Sequence, residues 1–352
     1  ALPIFSNQKV TAIAEDTQGH IWIGTFRGLN KNNVHDYHQY FCTDDSLGLP
    51  DNQITHLLRD SKNRFWVGTV NGVCLYTDKD NFRIIPIEAD NKNVRQILED
   101  RNGRIFLNTG FQLYAYHPRE EKITCVLPEI SPGNAFYAQC HIAPDNNLWV
   151  MTSTGLRCYD PSTLQLKESV ALSGYPYYSY LHNNELWITG NHTLSIFDTR
   201  THSFKPLPQP IAHNTTLCNA DIDYIHPYGN NGLLLNTARH GMFYYNPGTG
   251  SVTRQDENGF PFEMPRFRIS RMFTDSQQNL WIGSVDQGYT VCYHYKERFN
   301  NDNYLRSELN NKSVVSLSAG KDHKLWISTL MDGIYVYDTK SSEIRHIDPE
   351  TF

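Results

Sequence analysis

All six tryptophans of the 352-residue chain occupy one position of one short pattern, and that pattern recurs eight times. Glycine- and aspartate-marked turns flank the copies. These observations predict an all-β chain, a β-propeller of four-stranded antiparallel blades with eight repeats counted. The Trp-bearing copies are Ile21-Trp22-Ile23-Gly24-Thr25, Phe65-Trp66-Val67-Gly68-Thr69, Leu148-Trp149-Val150, Leu186-Trp187-Ile188, Leu280-Trp281-Ile282-Gly283-Ser284 and Leu325-Trp326-Ile327. Two further copies carry another large apolar residue there, in Ile105-Phe106-Leu107 and Leu233-Leu234-Leu235. The successive spacings are 44, 40, 43, 38, 47, 47 and 45 residues, the period of a propeller blade.

Each element of the repeat follows from local chemistry. The first strand is a short apolar run such as Val10 to Ala14, Ile54 to Leu58 or Val94 to Leu98. Six residues before the Trp position stands Asp16, Asp60, Asp100 or Asp275, and three before it Gly19, Asn63, Gly103, Asn146, Asn184 or Asn231. Asp bonds its own backbone two residues on, and Gly or Asn accepts positive φ, so these segments read as hairpins between the first and second strands. A calcium loop would need more oxygen ligands at fixed spacing. The second strand is apolar on both faces, as a sheet sandwiched between neighbours requires. Gly28, Gly72, Gly155, Gly241, Gly288 and Gly333 open the turn to a third strand. Outer strands such as Phe82 to Ile85 and Glu343 to Ile347 complete the set.

Leu2-Pro3 and the following Asn7 to Thr11 parallel Leu49-Pro50 and Asp51 to Thr55, and the chain stops near Asp348-Pro349, just after an outer strand. It therefore reads as a piece cut at repeat boundaries, a single propeller over 1–352. The repeats are expected at about 6–45, 50–87, 92–127, 134–168, 175–207, 219–255, 267–305 and 313–348. Eight repeats closing on one another make an eight-bladed ring. The alternative is a seven-bladed ring plus one repeat of a following propeller.

The formal net charge is −6 and the basic residues are scattered, so the electrostatic footprint of a nucleic-acid binder is missing. No stretch approaches the roughly 18 to 20 consecutive apolar residues that span a bilayer. The seven Cys form no CxxC pair and are expected to act as small buried hydrophobes. There is no GxSxG elbow, P-loop or Gly-rich dinucleotide turn, and no cofactor is expected. His35 and His38 are the one close histidine pair, and a strand would put them on opposite faces, so no metal site is expected.

The string from Ile13 to Leu29, Ile-Ala-Glu-Asp-Thr-Gln-Gly-His-Ile-Trp-Ile-Gly-Thr-Phe-Arg-Gly-Leu, closely resembles the two-component regulator propeller repeat. The likeness is strong in repeats 1, 2, 7 and 8, fair in the third, and degenerate in the fourth to sixth. The linker from Asp44 to Ile54 is similar to the inter-repeat segment of that family. The resemblance implies a non-catalytic periplasmic sensor module of a hybrid two-component system, one that contributes to detecting a saccharide and signals across the membrane as a homodimer. It further implies a second propeller and a β-sandwich downstream, an inner-membrane anchor outside this chain, and a histidine kinase as the whole protein. The family's binding residues are not part of its repeat motif, so none carries over. The other readings are a propeller-fold lyase or glycosidase acting on a carbohydrate or cyclic ester, and a protein-interaction platform.

In a propeller, the segment leading into the first strand and the loop between second and third strands share the face where ligands usually bind. Those positions hold Phe26, Asn71, Phe111, Asn191, His192, Gln287 and Met331, with Phe136, Tyr137 and Tyr178 from the lead-in segments. The ligand-binding candidates are Arg27, Tyr177, Arg239, His240, Arg266, Arg268, Asp286 and Asp332. Flat rings cover the apolar face of a pyranose, and Arg or Asp satisfies hydroxyls or an acidic substituent. Arg239-His240 and Arg266-Phe267-Arg268 suit an anionic group.

Overall fold

The computed structural model describes residues 5–33, 36–43, 48–77, 80–130, 138–265, 267–294, 308–309 and 312–348. His35, Phe136, Tyr137 and Arg266 lie outside the described residues, as does most of the 44–54 linker's first half. The chain falls into two compact units, Ala1–Tyr293 and His294–Phe352.

Eight antiparallel sheets form, one per repeat, each with its strands in sequence order. Seven have four strands; the sheet of the seventh repeat has three among the described residues, Ile269–Thr274, Leu280–Ser284 and Tyr289–Cys292. The Asp hairpins form as expected. Asp60 Oδ1 accepts from the backbone N–H of Lys62 (3.0 Å) and Arg64 (2.8 Å), while Oδ2 takes the Trp66 indole N–H (2.8 Å). Asp16 with Trp22 and Asp275 with Trp281 repeat this arrangement. The carboxylate thus ties hairpin to core. Burial works against the charge of Asp16, but the hydrogen bonds from Trp22, His20 and Gln18 outweigh it and hold the carboxyl below its ordinary value.

Positive φ appears at Gly19, Asn63, Gly103, Asn146 and Asn231 as expected, but in the fifth repeat it falls on Asn183 rather than Asn184. His182 pairs with Glu185 there, so the turn is a two-residue one and its first residue takes the left-handed conformation. Two single-turn helices, Gln209–Ala212 and Thr215–Cys218, occupy the long connection between sheets 5 and 6. The all-strand reading did not foresee them. The Asn214 side chain accepts from Leu217 N–H at the start of the second, and Ile211 and Leu217 are buried with the core around Trp187.

Within the first unit, first strands of consecutive sheets meet in the order 1 to 7, and the first strand of sheet 7 meets that of sheet 1. Three details of the junction between sheets 7 and 1 reproduce ordinary neighbours. Gly28 N–H donates to Asn52 O (2.7 Å) between repeats 1 and 2, and Gly288 N–H donates to Gln8 O (2.8 Å) between repeats 7 and 1. Asn52 stands two residues before Ile54, and Gln8 two before Val10, so the acceptors are equivalent. Ser61 N–H and Oγ–H donate to Glu99, and Ser276 N–H and Oγ–H donate to Glu15. Gly24 packs on Ile54, Gly68 on Val94, and Gly283 on Val10. A Cβ at Gly24 or Gly283 would come within 2.5 Å of the facing side chain, so only glycine admits this approach.

The eight repeats are therefore present, and seven of them close on one another inside the first unit. Of the two arrangements open to the sequence, this is the seven-bladed ring. The single span 1–352 is accordingly divided: the closing neighbour of sheet 1 in the ring is the seventh sheet, and the eighth forms the core of the second unit.

In that second unit, the first strand, Val314–Ala319, is exposed along its whole length, and Trp326 is 41% exposed. The other five tryptophans are 0–8% exposed. Cys74, Cys140 and Cys158 are buried as expected, whereas Cys42 and Cys125 are exposed, since both lie at outer or linker positions; all seven are free thiols. Burial pushes the Cys140 thiol up to about 12.

Candidate functional site at the ring's channel mouth

One irregularity recurs where the first strand of a repeat begins. Val10 pairs with Thr25 and Ala12 with Gly24, leaving Thr11 as an extra residue bulged from the ladder. The same shift isolates Thr55, Tyr177, Asp223 and Ser270 in sheets 2, 5, 6 and 7. Sheets 3 and 4 run without it. A bulge re-aims the side chain it releases and sharpens the local bend, and bulges concentrate at barrel rims and beside binding sites.

Four of these residues carry polar groups toward the junction of sheets 5, 6, 7 and 1. Thr11, Asp223 and Ser270 line one cavity of about 310 Å³ together with Lys9 and Arg271. The Thr11 and Ser270 hydroxyls are buried without a hydrogen-bond partner among the described residues. Such a group costs about 1–3 kcal/mol unless something satisfies it. Asp223 accepts from Asn236 Nδ2 (2.6 Å). Partial burial raises its carboxyl above the ordinary value, against the pull of Asn236 and the Arg268 guanidinium, although water still reaches it.

Burial, with Asp221 and Asp223 nearby, pushes the Tyr177 hydroxyl up to about 12. Asp221 in turn accepts from His192 N–H (3.1 Å), and its carbonyl takes the Ala238 N–H (2.9 Å). The field of Arg271 spreads widely. With burial as the larger cause, it lowers His56 in sheet 2 to about 4, and it acts on Tyr178 in sheet 5. Three cations, Lys9, Arg268 and Arg271, thus stand around two carboxylates and several hydroxyls. Chemically this suits a hydroxyl-rich ligand carrying an acidic substituent.

The sequence-derived candidates separate into three groups. Tyr177 and Arg268 belong to this cluster. Arg27, Arg239, His240 and Asp286 stand exposed on loops between second and third strands, with backbone N–H groups of Arg27, His240 and Asp286 anchored on Thr25, Thr237 and Ser284 hydroxyls. Asp332 lies in the second unit, where Lys312 and the Tyr335 hydroxyl (2.5 Å) already engage its carboxylate and hold it below its ordinary value. Tyr178 is a core residue whose hydroxyl donates to Ile225 O (3.3 Å). Thr11, Asp223, Ser270 and Arg271 were not foreseen. One extra residue in a strand leaves its apolar pattern readable, so the bulge is silent in sequence.

A profile of the two-component regulator propeller family matches residues 4–27 and 48–71. Those two segments span the first two of the eight repeats, which thus match the two-component regulator propeller repeat. Among solved structures, two extracellular domains from B. thetaiotaomicron are similar. One is assigned to a hybrid two-component system: 20% identity over 98% of this chain and 48% of that one, TM-score 0.66. The other is assigned to a one-component system: 20% identity, 96% and 46% covered, TM-score 0.63. Virginiamycin B lyase from Staphylococcus aureus shares the fold at 14% identity, 80% and 94% covered, TM-score 0.61. A search of curated protein sequences found no match. This propeller-repeat chain spans just under half the length of the two B. thetaiotaomicron domains. Among its described residues, no helix is long and apolar enough to cross a membrane.

Proposed function

We propose that this chain is a non-catalytic, extracytoplasmic sensor module of a two-component system and that its channel mouth takes a saccharide signal. The family repeats and the similar extracellular domains support the sensor reading. The observation that carries the ligand reading is the row of bulged residues, Thr11, Tyr177, Asp223 and Ser270, three of whose hydroxyls are buried without a partner among the described residues, beside a cationic rim. Periplasmic location, a downstream β-sandwich and a homodimeric receptor with kinase output complete the proposal. The exposed faces of the eighth sheet fit the first blade of a second ring, because the position of the exposed Trp326 is buried in each of sheets 1 to 7.

Calorimetry with a panel of neutral and uronic-acid oligosaccharides tests the ligand reading. Saturable heat with an acidic oligosaccharide is expected, weakened at least tenfold in Arg271→Ala. Turnover of any sugar in the panel contradicts the non-catalytic reading, and unchanged binding in that variant contradicts the site.

A further inference from the structure

The degenerate repeats hold a second irregularity, at the other end of the strands. In repeats 4 and 5 the hairpin Asp is replaced by Ala143 and Leu181, and both indole N–H groups, of Trp149 and Trp187, are buried without a partner among the described residues. Around Trp149 the rings of Phe197 and His202 pack at 5.0 and 5.3 Å. Beside Trp187, between sheets 5 and 6, a groove of about 360 Å³ opens instead. His182 also lines it, and His182 Nε2 is a second buried atom without a partner.

We propose that this groove is a binding site for one or two rings of a neutral saccharide, held through Trp187 and His182 beside the ring of Tyr245. The indole N–H only donates, and Nε2 of a neutral imidazole accepts or donates according to the tautomer; a sugar hydroxyl does both and can satisfy either. Burial lowers His182, with Glu185 opposing, which keeps the imidazole neutral at pH 7. The charged groups on the rim already cancel: Lys205 pairs with Glu185 (2.5 Å) and Arg200 with Asp198 (3.8 Å). A net-neutral lining favours hydroxyls over a carboxylate or sulfate. Tyr245 lies 6.3 Å from Trp187, ring to ring, and is the more open of the two, which provides a face for the C–H side of a pyranose. The volume stands at the small end of ligand sites, room for a mono- or disaccharide.

This site is distinct from the channel mouth. Tyr177 is the second residue of the first strand of sheet 5, Pro176–His182, and His182 ends it, five residues and about 17 Å away along an extended chain. The inference therefore does not rest on the reading given for the mouth.

The test follows the six indole N–H resonances of the intact chain by ¹H–¹⁵N NMR. Trp187→Phe assigns the relevant one, and it should fold, since Phe106 fills the same position in repeat 3. Glucose, galactose, maltose and cellobiose are titrated, with glucuronate for comparison. At least one neutral sugar should shift the Trp187 resonance saturably. Tyr245→Ala should weaken that binding tenfold or more, and Asp223→Asn should leave it unchanged. The proposal is overturned if no neutral sugar moves the Trp187 resonance, if Tyr245→Ala leaves that titration as in the parent, or if glucuronate moves the Trp187 resonance at lower concentration than every neutral sugar.

Discussion

Repeats 1, 2 and 7 and repeats 4 and 5 build the same sheet from different interiors. The first group combines Asp, Trp and Gly at fixed spacing: Asp16, Trp22 and Gly24; Asp60, Trp66 and Gly68; Asp275, Trp281 and Gly283. There the indole N–H is satisfied and the next blade's lead residue packs on bare backbone. Repeats 4 and 5 keep Trp149 and Trp187 but have Ala143 and Leu181 for Asp, and Met151 and Thr189 for Gly. Their Trp side chains are still buried, so apolar packing alone maintains the blade. The strict motif adds polar anchoring, and its loss frees polar atoms. The faithful repeats hold the ring closed, while the groove proposed for a ligand lies among the degenerate ones.

The largest expected effect comes from the close approach of blades. Gly283→Val and Gly24→Val should each destabilise the chain by about 3 kcal/mol in urea unfolding, because a side chain there collides with Val10 or Ile54. Near-equal losses mean that the seventh and first repeats meet as the first and second do. A loss confined to Gly24→Val would separate the two junctions.

A smaller difference is expected at the indoles. Trp66→Phe leaves Asp60 short of a buried donor and should cost about 1–2 kcal/mol more than Trp149→Phe, where the N–H has no partner to lose. Equal costs in denaturant melts would mean that the Asp–Trp bond adds nothing to packing.

The smallest effect concerns Asp223. Its folded-state pKa is raised, so the charged carboxylate is disfavoured in the fold above that pKa, and the penalty fades as pH falls through it. Asp223→Asn should therefore raise the unfolding free energy measured in urea slightly at pH 7, by about a few tenths of a kcal/mol given access of water, and not at all near pH 3. A gain that persists at acid pH would point to a cause other than charge.

The scaffold was readable because its determinants are local and repeated: Trp22 and its counterparts, the Asp60-type hairpins, and the turn glycines with positive φ at Gly28 and Gly72. Ring closure was not readable, since repeats 7 and 8 carry similar patterns and only contacts across the junction, Gly288 with Gln8, Ser276 with Glu15 and Gly283 with Val10, distinguish them. The site was half readable. Tyr177 and Arg268 stand out as an aromatic and a cation in lead-in segments, whereas Asp223 and Ser270 owe their placement to a register shift of one residue. Asp332 looked free in sequence because its partner Lys312 comes from the lead-in segment of its own repeat.

Closure of seven repeats is the claim on which the rest depends, and amide hydrogen exchange at two glycines tests it without altering the molecule. Gly288 N–H should exchange as slowly as Gly28 N–H, because each donates to the carbonyl leading into the next blade, Gln8 and Asn52. Protection at Gly28 with loop-like exchange at Gly288 would contradict a ring closed between the seventh repeat and the first.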